Sequence, residues 1–272
     1  MTGSLFGFVG VTSRPWPSPM KPRSAVGRGH EPSGRSDRFP IAHNSDIIPA
    51  SPAHQGMLVV DFVMSQSERV PDCLFCGVVS LPADDLPWHD RPIARVPGVG
   101  AVIAGLGAFV PGYVLVFPDP HTESTLRMPT DIHRKFNTLL ERAVAAVDAA
   151  FGPPTVFEHG ACQRTDIRRS ACLEHAHVHV MPGAYDLTPS VRPADADEPA
   201  STVATADLAH SGYLFLREPR GTPIYAADPG LSQFFRRRIA EKMGIADEWD
   251  YLMFPRLDNV HITIKRLLKY LT

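Results

Sequence analysis

The chain has 272 residues, 44% of them apolar and 21% charged, with a formal net charge of −2, which allows one large domain or two small ones around a proper core. That composition excludes wholesale disorder, and no run approaches the ~18 apolar residues that a membrane span needs. The near-neutral balance argues against a broad basic surface for nucleic acid, and four cysteines are too few for a disulfide scaffold.

Eight of the 27 prolines fall in residues 1–56, among Gly, Ser and six basic against three acidic residues. No period of 2 or 3.6 persists there, and such a segment cannot bury enough surface to offset its ordering entropy. Residues 1–65 therefore read as a disordered tail or as a mis-annotated one, with the true start at Met57 or Met64. A transit peptide is the alternative. Residues 57–272 carry 21 basic and 26 acidic residues, a net −5.

From Cys73 onward the pattern sharpens. Residues 92–96 and 100–104 read as strands joined by a turn at Pro97 and Gly98, and residues 113–117 as a buried strand closed by Pro118 and Pro120. Pro129 opens a long helix in which Phe136, Leu139, Leu140, Ala143, Val144 and Val147 recur at spacings of three and four, and Gly152 ends it. Residues 155–158 form a short strand, and residues 175–180 a strand that stops at Pro182 and Gly183. Residues 186–209 read as a loop. A strand at 213–216, a turn at Gly221 and a helix from Leu231 to Met243, ended by Gly244, follow. A last strand or short helix spans His261 to Leu271. Antiparallel hairpins with two principal helices predict an α+β fold.

His175, His177 and His179 alternate with Ala176, Val178 and Val180. In a strand, alternate side chains share a face, so all three imidazoles would point one way while the small apolar residues enter the core. A lone His on a strand is usually a satisfied polar residue, but strict alternation of three marks a functional face. Two chemistries use such a face: a metal site, since imidazole suits zinc, iron and copper, or attack on phosphorus by one imidazole. No carboxylate lies between the histidines, as binuclear hydrolases usually require. Cys73 and Cys76 have Cys-x-x-Cys spacing, which serves a redox pair, a buried structural pair or a metal site.

Several motifs in order resemble the histidine-triad (HIT) superfamily of nucleotide hydrolases and transferases. These are the Cys-x-x-Cys at Cys73 and Cys76, the strand and turn from Gly112 to His121, residues 157–160, and the His-x-His-x-His followed by Met181 and Pro182. Together they cover roughly residues 70–183. The resemblance implies a HIT-like domain at 66–185, an antiparallel sheet, and a C-terminal extension at 210–272 packed on the same domain. It makes His177 the nucleophile toward an α-phosphorus, with His179 donating to phosphate oxygens or the leaving group. A third histidine, where transferase branches carry glutamine, favours hydrolysis. Backbone N–H groups of Ser170, Ala171 and Cys172 would meet developing charge, although the family's Gly-Gln-Ser is here Ser-Ala-Cys, preceded by Arg164, Arg168 and Arg169. The resemblance also gives zinc four ligands, Cys73, Cys76, His121 and His175, in a closed structural site.

In the C-terminal extension, Phe234, Phe235, Ile239 and Met243 are expected in the core, with Arg236, Arg237 and Lys242 outward. Gln233 or Arg237 would reach a distal phosphate or the leaving group, and His261 reads as structural. The expected partner is a small-molecule nucleotide, with no broad nucleic-acid surface and no membrane. A homodimer is left open, and the expected compartment is cytoplasmic. A nucleotidyltransferase or phosphorylase and a non-catalytic nucleotide-binding module are the alternatives to a hydrolase.

Overall fold

A computed structural model describes residues 70, 73–160, 175–191, 208 and 212–272. The chain divides near residue 60, and everything described below belongs to the unit Asp61–Thr272. The expectations for the N-terminal tail, for Ser170, Ala171 and Cys172, and for most of the 186–209 loop lie outside the described residues.

Seven strands make one antiparallel sheet: β1 (Ala94–Val96), β2 (Gly100–Ala104), β3 (Val114–Pro118), β4 (Pro154–Gly160), β5 (Val178–Pro182), β6 (Tyr213–Arg217) and β7 (Ile224–Ala227). Their order is β1-β2-β3-β5-β4-β6-β7, so β5 sits at the centre, between β3 and β4. The helices are α1 (Leu74–Ser80), α2 (Thr130–Phe151), a single turn α3 (Thr188–Val191), α4 (Phe234–Lys242) and α5 (Leu257–Leu271).

The period of 2 in the strands builds two different faces. Val102, Val114, Val116, Val178 and Val180 enter the main core with the Phe136, Leu139, Ala143 and Val147 stripe of α2. Ala101, Ile103, Leu115 and Phe117 turn the other way and pack with Phe75 and Val78 of α1. Phe235 of α4 meets Phe157 of β4, with ring centroids 4.8 Å apart. Helix α2 ends where Gly152 takes φ 98°, a conformation that costs glycine little.

Three expectations change. The strand predicted at 175–180 begins only at Val178. Its ladder to β3 runs no further than Val116 opposite Val178, and the Ala176 amide instead donates to the Thr122 carbonyl at 2.6 Å, because Pro118, which the same register would set opposite Ala176, has no N–H to extend the ladder. The terminal segment, read as a strand or short helix, is a fifteen-residue helix in which Val260, Thr263, Leu267 and Leu271 are buried at helical spacings. Arg236, expected outward, is 5% exposed. Residues 212–272 supply β6, which pairs with β4; this segment and the earlier strands therefore share a sheet.

Candidate functional site

Two sites meet at the start of β5. The first joins three separate elements. Cys73 caps the N-terminus of α1 and Cys76 lies in its first turn, His121 follows β3, and His175 precedes β5. Cys76 Sγ lies 3.3 Å from His121 Nδ1, and His175 Nδ1 lies 3.4 Å from Cys73 Sγ and 3.6 Å from Cys76 Sγ. One donor atom from each residue falls within 4.8 Å of all the others. A tetrahedral zinc bound at ~2.3 Å to sulfur and ~2.0–2.1 Å to nitrogen requires sulfur–nitrogen separations of about 3.5 Å, and the three sulfur–nitrogen contacts above stand close to that spacing. The tautomer also suits. His175 Nε2 donates to the Pro118 carbonyl at 2.9 Å, which leaves the lone pair on Nδ1, facing the sulfurs. Two thiolates and two imidazoles are a zinc donor set.

The second site lies between α1 and α4 on the same side of the sheet. His177 is 7% exposed, and its Nδ1 donates to the His175 carbonyl at 2.9 Å. A carbonyl only accepts, so Nδ1 carries the proton and Nε2 the lone pair. Burial pushes its pKa down to about 4, so the ring is neutral near pH 7. The His179 ring is 4.8 Å from that of His177 and stacks on Phe157 at 4.5 Å. Its Nδ1 is 2.6 Å from the Tyr113 hydroxyl. Burial first, and then the neighbouring charges of His177 and Arg236, push its pKa well below the usual range.

His177 and His179 line a small cleft together with Phe157, His159, Gln233 and Arg236. The row of three histidines is thus divided in use, since His175 goes to the cysteines and the other two to the cleft. Phe75 touches His175 and His177 alike, at 5.6 and 5.3 Å between ring centroids, and so separates the two sites.

Of the residues expected from α4, Gln233 reaches the cleft. It caps the helix in a left-handed conformation with φ 53° and makes no side-chain capping bond, and its Oε1 is buried without a hydrogen bond. Arg237 is not among the lining residues. Its guanidinium stacks 3.4 Å above Trp249 and Nε donates to the Ser232 carbonyl at 2.9 Å. His261 is exposed on α5, with its ring 6.1 Å from that of Trp88.

Sequence reasoning missed three residues. His159 lines the cleft, two positions from Phe157 and so on the same face of β4, and its Nε2 lies 2.9 Å from Asp228 Oδ1. Glu158, on the other face, is 2% exposed and accepts from the Thr125 amide at 2.9 Å and the Tyr213 hydroxyl at 2.6 Å. Arg236 is the third. Its spacing from Ile239, Ala240 and Met243 is the i, i+3, i+4, i+7 of a buried helical face, and that signal was legible beneath the residue type.

The chain is similar to solved structures named as histidine-triad proteins. A zinc-bound histidine triad family protein from Mycobacterium smegmatis is 17% identical, with 66% of this chain and 98% of that one covered at a TM-score of 0.31. A hypothetical histidine triad nucleotide-binding protein from Sulfolobus tokodaii is 16% identical, covering 63% and 92% at a TM-score of 0.32. A HIT family hydrolase from Clostridium thermocellum is 16% identical, covering 42% and 92% at a TM-score of 0.30. No protein-family model and no curated protein matches the sequence.

Proposed function

We propose that the chain is a hydrolase that cleaves a nucleotide phosphoanhydride or phosphoramidate at the α-phosphate, through a nucleotidyl intermediate on His177. The supporting observation is the tautomer of His177. With Nδ1–H bound to a main-chain carbonyl, Nε2 presents a lone pair from a neutral ring in a cleft, as a nitrogen nucleophile must. Attack forms a bond from Nε2 to phosphorus while the bond to the leaving group breaks and takes its electron pair away. Water then attacks the same phosphorus, and the nitrogen–phosphorus pair returns to Nε2. In this reading the Tyr113 hydroxyl donates to His179 Nδ1, and His179 Nε2–H is the donor to the phosphate oxygens.

The Cys73, Cys76, His121 and His175 cluster serves as a structural zinc site in this reading. Zinc held by these four residues would supply a cross-link, and the consequence for this chain is positional: His175 would be fixed, and its carbonyl in turn orients His177.

The test is a panel of nucleoside 5′-phosphoramidates and dinucleoside polyphosphates, with turnover measured and the intact protein weighed after rapid quenching. The expected result is release of a nucleoside monophosphate and a transient nucleotidyl adduct on His177. His177→Ala loses the adduct and lowers kcat by at least ~10⁴-fold, as removal of a nucleophile does. Binding without turnover by the parent chain would mark a binding module instead, and transfer of the nucleotide to added phosphate a phosphorylase.

A further inference from the structure

Arg236 lines the cleft, yet the reaction above gives it no role. A guanidinium is a cation, and burying such an ion without a counter-charge is strongly unfavourable. Three nearby basic residues are paired with carboxylates, whereas Arg237 stacks on Trp249. Arg238 pairs with Glu241 at 2.9 Å, Lys242 with Asp186 at 3.1 Å, and Arg256 with Glu248. Arg236 is the most buried of the four, and it has no carboxylate within ion-pair distance among the described residues.

The structure nevertheless holds it firmly. Nε donates to the Trp249 carbonyl at 2.8 Å and Nη2 to the Gly107 carbonyl at 3.0 Å. The guanidinium carbon sits 4.5 Å from the centroid of Phe109. The chain gives way at Gly107, where a Cβ would stand 2.7 Å from Nη2. Arg236 also lies in the first turn of α4, which carries no acidic residue, so the positive end of the helix adds to its charge. Two carbonyls and a ring fix the fork while its remaining N–H donors stay available. Such an arrangement is complete only when an anion is present.

We infer that Arg236 is the counter-ion site for a second anionic group of the substrate, and that the substrates are therefore nucleoside polyphosphates. Their leaving group ends in phosphate, unlike the neutral amine of a phosphoramidate. The inference rests on the α-phosphate chemistry proposed above and adds the leaving group to it. When His177 Nε2 bonds to the α-phosphorus, the bridging P–O bond breaks and its electron pair stays on the β-phosphate oxygen. The departing phosphate gains one negative charge, beside Arg236. Water then completes the cycle as described, with one of its protons released to solvent.

The experiment has two arms on the full chain. In the first, kcat/KM is compared between a dinucleoside triphosphate and the 5′-phosphoramidate of the same nucleoside, in the parent and in Arg236→Gln, whose amide can still donate to one of the carbonyls. The expected loss is about 30-fold greater on the triphosphate, the scale of a lost charged hydrogen bond, with Arg236→Lys intermediate. Equal losses on both substrates would overturn the inference and leave Arg236 as a structural clamp. The second arm needs no turnover. Inorganic pyrophosphate should raise the thermal midpoint of the parent and of His177→Ala saturably, with at least ~10-fold weaker apparent affinity in Arg236→Gln. No stabilisation of the parent, or equal affinity in the variant, would sink the inference. If no nucleotide is turned over, the hydrolase reading fails by itself and the pyrophosphate arm still decides Arg236. Should neither substitution fold, no pyrophosphate response in the parent overturns the inference, and a saturable response that persists in His177→Ala supports it.

Discussion

At the scale of single residues, the decisive quantity is which atom holds a proton. His175 and His177 use opposite nitrogens for opposite ends, each fixed by a carbonyl: Nε2 of His175 on Pro118 and Nδ1 of His177 on His175. Glu158 poses the same question for a carboxyl group. Burial raises its pKa above the unfolded value of 4.5, against three donors from Thr125 and Tyr213 that act to lower it. The folded chain therefore binds this proton more tightly than the unfolded chain does. Its contribution to stability is full below pH ~4.5 and is lost as the pH rises through the folded value. Glu158→Gln removes the titration, so the variant should gain on the parent in urea-derived stability as the pH goes from 4 to 7. Parallel curves would mean that the carboxyl group is not raised.

Elements come next, and here legibility divides along physical lines. The five apolar residues of β2 and the long stripe of α2 were readable because each is bounded by turn residues and buried along one continuous face. Phe136 in the middle of α2 is 0% exposed, so Phe136→Ala should cost about 3–5 kcal/mol, measured as a lower urea midpoint at unchanged slope. The edge strand β7 was not readable, since its four residues are half-buried or exposed and lack an alternating pattern. The start of β5 was misread for a different reason. Alternation of side chains continues through His175, but a ladder also needs donors from its partner, and Pro118 has none. Arg236 was misplaced because residue type outweighed spacing. A buried charge breaks composition rules where function requires it, and only the packed helix shows which rule gave way. Of the candidate site, the histidine row and the cysteine pair were visible in the sequence. The His159 and Asp228 contact was not, because it joins residues 69 positions apart.

For the whole molecule, the cluster of two cysteines and two histidines would, with the proposed zinc bound, be a long-range cross-link. It would tie α1 to the turn after β3 and to the approach to β5, the last of these 102 residues from Cys73. The purified protein should contain one zinc per chain by elemental mass spectrometry, and Cys76→Ser should lower that content. Removal by a chelator should cost roughly 3 kcal/mol or more, a fall of about 6–12 °C in Tm for a unit of this size. An unchanged Tm would show that the four side chains hold nothing. Among the described residues, no helix is long and apolar enough to cross a membrane.

The acceptor that sets the state of His177 is part of the peptide backbone. Every substitution at position 175 leaves that oxygen in place, so an exhaustive scan of side chains would record His175 as a metal ligand and nothing else. The group that orients the proposed nucleophile is invisible to genetics. Only a change to the main chain itself, such as an ester in place of the amide between residues 175 and 176, would bring it into view.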